Sequence, residues 1–330
     1  MLSAKNYHKF FILLIILSLS FFAVSAQKIK VKKPKPQPQF QGKPVMWERV
    51  NTAQRDLFYG PGGKQMLPDL SKITFIKEEK EGHNKKYRIK DGSGRVWVAK
   101  IGREAQPETA AVRLMWALGY KTEINYLVPR LTIPGKKTYT NVRLEARPEN
   151  VERLENWKWK KNPFIGTNEF QGLKIMMVFL NNWDIVDVQN KVLLVDNGKG
   201  GKQMQYIISD LGATFGKLGN NNLPIIYRLG RSVNNPKHYV RSSFIKGAKN
   251  GQVKLAYKGK NRWLFKGITQ DQARWLADLL LELSDKQIED AFRAANYSPA
   301  DIQTLKQGVK NRIRQLDDVA DERNLAESIK

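Results

Sequence analysis

The chain has 330 residues, 57 Lys and Arg against 31 Asp and Glu, a formal net charge of +26, and no cysteine. The missing cysteine excludes disulfides, thiolate metal sites and thiol nucleophiles, so stability must come from an ordinary core. So positive a field attracts phosphates, anionic lipids, acidic glycans or nucleic acid, but no zinc-finger spacing or RRM-type aromatic motif occurs, so nucleic acid is not the expected partner.

Residues 1–26 carry the three parts of a secretory signal. Lys5 and Lys9 give a positive start, residues 10–24 are apolar apart from Ser18 and Ser20, and Val24-Ser25-Ala26 offers small residues for cleavage after Ala26. The apolar run falls short of the ~20 residues of a membrane-spanning helix. The expectation is an exported protein, periplasmic or extracellular, of 304 residues (330 minus 26) and net charge +24 once Lys5 and Lys9 are gone. No later stretch is long and apolar enough to span a membrane. Residues 27–46 alternate Lys and Pro and read as a basic, extended linker. It could touch an anionic envelope component, lipid or glycan.

Residues 73–76 are a short β-rich run, followed by a charged stretch around the lone Gly82. Strands around residues 87–89 and 96–98 flank Asp91-Gly92-Ser93-Gly94 and predict a hairpin. Ala111, Leu114, Met115 and Leu118 then fall at helical spacing, with Pro107 in the first turn and Gly119 at the stop. Residues 126–133 form one apolar strand in a section otherwise rich in charge, Pro and Trp. Residues 172–180 predict a buried helix. Residues 191–195 and 205–208 predict two strands joined by a Gly-rich turn, and residues 252–257 are expected to pair with 262–265. Thr269/Gln272 and Ser284/Gln287 are capping-box pairs, and Ser298-Pro299 opens a last helix. The stripes Ala273/Leu276/Ala277/Leu280 and Ile302/Leu305/Val309/Ile313/Leu316 read as core. Pro61-Gly62-Gly63-Lys64 lacks full Walker spacing and reads as a turn. His8, His83 and His238 have no ligand-spaced partners.

Four polar features could meet in this order of elements. Lys100 ends an apolar strand, Glu108 lies near the start of the next helix, Asp184 and Asn190 follow a buried helix, and Asp210 follows the next hairpin. Such a set suits phosphoryl transfer, in which a protein mainly positions groups and balances charge. A strand Lys neutralises phosphate oxygens, a helix Glu holds that Lys, a loop Asp orients or deprotonates a hydroxyl, and Asn and Asp offer hard oxygens to magnesium.

On Val96-Trp97-Val98-Ala99-Lys100, Pro107-Glu108, Asn182-Trp183-Asp184, Gln189-Asn190 and Ser209-Asp210-Leu211-Gly212, the sequence resembles the atypical branch of the protein-kinase-like fold: HipA-type toxin kinases, phosphatidylinositol kinases and secretory-pathway kinases. The resemblance spans about residues 70–215. It implies an α+β, two-lobed fold, with a β-rich N-lobe at 47–135 and a mainly helical C-lobe with hairpin insertions at 136–330. It implies ATP and Mg2+ as cofactors, Asp184 as catalytic residue, Lys100 and Glu108 at the nucleotide, and Asn190 and Asp210 at the metal. Asp187 rivals Asp184. The family places its metal-binding Asn five residues after the catalytic Asp, where this chain has Gln189, so Gln189 rivals Asn190. Two functions follow: ATP-dependent transfer to a hydroxyl acceptor, or a non-catalytic, envelope-binding protein on the same scaffold.

Overall fold

The computed structural model describes residues 42–80, 84–219, 230–259 and 261–328. The signal at 1–26, the linker as far as 41, and the stretch at Gly82 and His83 lie outside the described residues.

The chain enters on β1 (Lys43–Val45), which runs parallel to residues 203–205. The expected linker therefore ends sooner than residue 46. Val45 and Met46 are buried, and Pro44 is tolerated because β1 is an edge strand that can forgo one N–H. Then come β2 (Thr74–Glu79), β3 (Lys86–Lys90), β4 (Val96–Lys100), α1 (Ala105–Ala117), β5 (Asn125–Thr132) and β6 (Thr138–Ala146). The five strands form one antiparallel sheet in the order β2-β3-β4-β6-β5. A lobe boundary at 135 would cut the β5–β6 hairpin, so the front sheet extends to Ala146.

The rear half continues with β7 (Glu152–Arg153), α2 (Asn168–Phe179), β8 (Asn190–Asp196) and β9 (Lys202–Ile208). β7, β8 and β9 join β1 in a second sheet of order β1-β9-β8-β7. Next are β10 (Lys217–Leu218), β11 (Arg231–Ser232), α3 (Pro236–Arg241), β12 (Ile245–Lys249) and β13 (Gln252–Leu255), then α4 (Gln270–Leu281), α5 (Asp285–Arg293) and α6 (Pro299–Ser328). The protein is thus α+β, β-rich in front and helical behind. Among the described residues no helix is long and apolar enough to cross a membrane.

One expected pairing is corrected. β13 pairs with β12, and Arg262–Phe265 is a 3-10 turn. The cause is Asn250-Gly251, both at positive φ (54° and 70°), the residue pair that a two-residue hairpin loop demands. Pro61-Gly62-Gly63-Lys64 lies in two short 3-10 turns. The helix starts follow the sequence: Thr269 and Ser284 both complete capping boxes, and Ser298 accepts from the Asp301 N–H.

Period-2 alternation divides the front sheet. Tyr87, Ile89, Trp97, Ala99, Val142 and Leu144 build an apolar cluster on one face. Val98, Lys100, Arg143 and Glu145 fall on the other, where Lys100 lies opposite Arg143 and Val98 opposite Glu145. α1, α2, α4, α5 and α6 share a larger core that includes both apolar stripes.

Candidate active site

Lys100 ends β4 with its ammonium 3.6 Å from Glu108 of α1 and 3.1 Å from Glu145 of β6. Arg143 lies 3.0 Å from Glu108 and 2.5 Å from Glu145, and Arg147 also pairs with Glu145. Glu108 reaches this cluster because the chain turns straight from β4 into α1. It sits in the first helical turn, one turn beyond Glu104, whose carbonyl accepts its N–H.

The cluster is buried, with Arg143 at 0 % and Glu145 at 1 % exposure. Burial alone would neutralise such groups, so their partners decide their charge. Burial pushes Glu108 up to about 8, against the opposing pull of Arg143 and Lys100, with the charge of Asp210 adding to the rise. Burial would raise Glu145 too, but Lys100, Arg147 and Arg143 outweigh it and hold that carboxyl well below its ordinary range. Burial and Arg143 oppose the charge on Lys100, yet Glu108, Glu145 and Asp210 keep its ammonium above its ordinary value. Asp210 is therefore close enough to act on Lys100 and on Glu108.

Asp210 lies just beyond β9 and accepts from the Gly212 N–H at 3.1 Å. A side chain at Gly212 could not fit, because a Cβ there would stand 2.7 Å from Cβ of Glu104. Glu104 thus packs directly against the Asp210 turn. Its carboxyl is pushed up by burial and by Asp210 and Asp184, against a hydrogen bond from Asn84. Glu104 is accordingly the residue at which the Asp184 and Asp210 loops are both felt.

Asp184 follows the C-terminus of α2. Asn181, at φ 55°, ends the helix and donates to the Gly216 carbonyl, while Phe215 donates to Leu180. These bonds fasten the Asp184 loop to the segment after Asp210. The Asp184 N–H is held by Asn182, and its carboxylate accepts from the Gln189 amide at 2.8 Å. Asp187 is exposed and accepts from the Trp159 N–H, which is a loop-fastening contact.

Lys100 and Glu108 therefore feel the charge of Asp210, and Asp184 and Asp210 are both felt at Glu104. Asn190 opens β8 opposite Ile208, two residues before Asp210, and its buried Oδ1 has no hydrogen-bond partner among the described residues. Asn190 is 0 % exposed and donates to the Trp157 carbonyl. It is the first residue of β8, with its side chain turned into the protein, whereas Gln189 lies in the preceding 3-10 turn beside Asp184. Glu104, Arg143 and Glu145 were not singled out from sequence. The signal was present in β6, where Arg143 and Glu145 alternate with Val142, Leu144 and Ala146.

Among the described residues no group of three His, Cys, Asp or Glu side chains could hold a metal ion. Magnesium does not require one, since it is commonly held by one or two carboxylates together with substrate phosphates. Asp210 with one amide oxygen fits that pattern, and the oxygen could come from Gln189 or from Asn190, whose buried Oδ1 has no hydrogen-bond partner among the described residues.

An α+β chain with a buried charged cluster on one face of its front sheet is what these residues define. Among solved structures it is similar to the Helicobacter pylori proinflammatory kinase CtkA, at 13% identity over 78% of this chain and 98% of that chain, with a TM-score of 0.48. No family model matches the chain, and no curated protein matches it.

Proposed function

We propose that this is an exported kinase-like protein that binds Mg-ATP and moves the γ-phosphoryl group to a hydroxyl acceptor. The observation that carries this reading is Lys100, held between Glu108 and Glu145 within electrostatic reach of Asp210. Asp184 acts on the same Glu104 as Asp210.

Lys100 neutralises phosphate oxygens, and Glu108 and Glu145 fix its position. Asp210 and the amide oxygen of Gln189 or Asn190 would hold magnesium, which when bound would supply positive charge to offset that of the phosphates. Asp184 orients the acceptor hydroxyl and takes its proton. The acceptor oxygen bonds to the γ-phosphorus as the bond to the β,γ-bridging oxygen breaks, and ADP leaves. Gln189 holds Asp184 in place through its amide N–H.

A second reading, a non-catalytic protein that meets an anionic lipid or glycan, draws on one observation. The residue five places after Asp184 is Gln189, whose amide N–H is spent on Asp184, and the Asn190 amide N–H is spent on the Trp157 carbonyl. Export adds to it, because ATP is scarce outside the cytoplasm.

Thermal shift with Mg-ATP separates the cases. At 100 times Kd the nucleotide should add about 2.7 kcal/mol of stability, and Asp210→Ala should abolish the gain. Transfer from γ-labelled ATP then distinguishes catalysis from holding. No shift in wild type, at a salt concentration that screens non-specific attraction to the basic surface, would end the nucleotide reading.

A further inference from the structure

Away from that cluster, the rear lobe holds a cavity of about 380 Å3 whose polar walls are Lys217, His238, Arg241, Lys258, Ser242 and Ser243. Among the described residues, no acidic side chain lines it. Among the described residues, Lys217, Arg241 and Lys258 are paired with no carboxylate. The wall is ordered from within: His238 Nδ1 lies 2.8 Å from Ser232 Oγ, which accepts from the Lys217 N–H, and the Ser242 hydroxyl donates to the His238 carbonyl. Concave shape, converging like charges and adjacent hydroxyls together specify a small, multiply charged, oxygen-rich anion.

The cavity adjoins the surroundings of Asp184. Leu218 in its wall pairs with Arg231, and the Arg231 guanidinium stacks 4.5 Å from the Trp183 ring, next to Asp184. Tyr257, beside Lys258, feels the charges of both Arg231 and Asp184. The walls therefore run from the cavity to the residue that meets the acceptor under the reading above.

We propose that this cavity binds a phosphate monoester carried by the acceptor, so that the protein phosphorylates molecules already bearing one phosphate. The anion site stands on the cavity itself, and the acceptor assignment rests on the kinase reading. The same chemistry is presented by a phosphorylated peptide side chain or by a small phosphate ester, and the probes separate them.

The test measures binding of inorganic phosphate, a phosphoserine peptide and glycerol phosphate to the purified protein by calorimetry, with saturating Mg-ATP present to block the nucleotide site. Arg241→Glu/Lys258→Glu should weaken the bound probe about tenfold or more. Lys90→Glu/Lys254→Glu, an equal charge change at exposed positions outside the cavity, should have little effect. Equal weakening by both variants, or no binding of any probe, overturns the site. Preference for the peptide or for glycerol phosphate identifies which source is used. Asp210→Ala should lose Mg-ATP and keep the probe, so failure of the kinase reading leaves the anion site standing and measurable. In the transfer assay, a phosphoserine peptide that also carries a free hydroxyl should show a lower KM than its unphosphorylated form. Equal KM values overturn the acceptor assignment.

Discussion

Two buried guanidinium groups show how differently this molecule treats a cation taken out of water. Arg143, in the front sheet, faces the carboxylates Glu108 and Glu145 through one nitrogen, while its Nε and Nη1 have no hydrogen-bond partner among the described residues. Arg312, on α6, meets no carboxylate among the described residues. Its terminal nitrogens donate to the carbonyls of Val178, Phe179, Tyr239 and Ser242 and to the Asn181 amide, and its plane lies over Tyr239. Glu108 and Glu145 outweigh burial at Arg143 and hold it charged, whereas burial pulls Arg312 below its ordinary value. The front cluster keeps spare donors and a carboxyl that burial drives toward its protonated form. The Arg312 network is satisfied by main chain and fixes the end of α2, immediately ahead of Asp184.

The largest expected effect breaks the fixed side. Arg312→Met removes a buried planar donor that joins four carbonyls and the Asn181 side chain, and should cost about 3–5 kcal/mol, read by denaturant unfolding. A matching loss for Arg143→Met should be partly recovered by adding Glu108→Gln, because a carboxylate partner can be neutralised and a carbonyl cannot. Failure of that rescue would remove the distinction drawn between the two sites.

The next effect concerns transfer itself. Lys100→Met should lower the rate of phosphate transfer about 10²-fold or more, with the fold retained by circular dichroism. Arg312→Lys, which keeps the charge and loses the planar fork, should act mainly on stability.

The two networks also differ in pH response. Glu108 keeps its proton in the folded state between its ordinary 4.5 and about 8, while the unfolded chain releases it. Stability from this group is therefore full below 4.5 and is lost as pH rises through about 8. Glu145 runs the other way, its contribution present above the ordinary carboxylate range and lost on acidification. Glu108→Gln should flatten the fall in melting temperature over this window, and an unchanged slope would show that other groups set it. The smallest effect lies outside both networks: Ser284→Ala removes a capping box and should cost about 1 kcal/mol.

What the sequence made legible follows from local chemistry. Lys100 ends an apolar strand, the two capping boxes bound their helices, and Asp184 and Asp210 follow a helix and a hairpin. Arg143 and Glu145 were hidden because charge on a strand reads as solvent-facing, and only the pairing with β4 shows that this face is covered. Glu104 carries no signal of its own in the sequence, and only its packing against the Asp210 turn marks the position. The choice between Gln189 and Asn190 depends on one residue of register between a 3-10 turn and β8, which composition does not encode. β1 was masked by its Lys and Pro neighbours, and the Asn250-Gly251 turn was passed over for a longer pairing.

Gly212 has a further consequence. Because a Cβ at Gly212 would stand 2.7 Å from the Glu104 Cβ, the packing of the Asp210 turn on the Glu104 side chain is set by a side chain that is not there. That makes the position a ruler. Alanine, then serine, then valine would wedge the Asp210 turn away from the head of α1 in graded steps, and each step would read out how far Lys100 and Asp210 can separate before the thermal shift with Mg-ATP is lost.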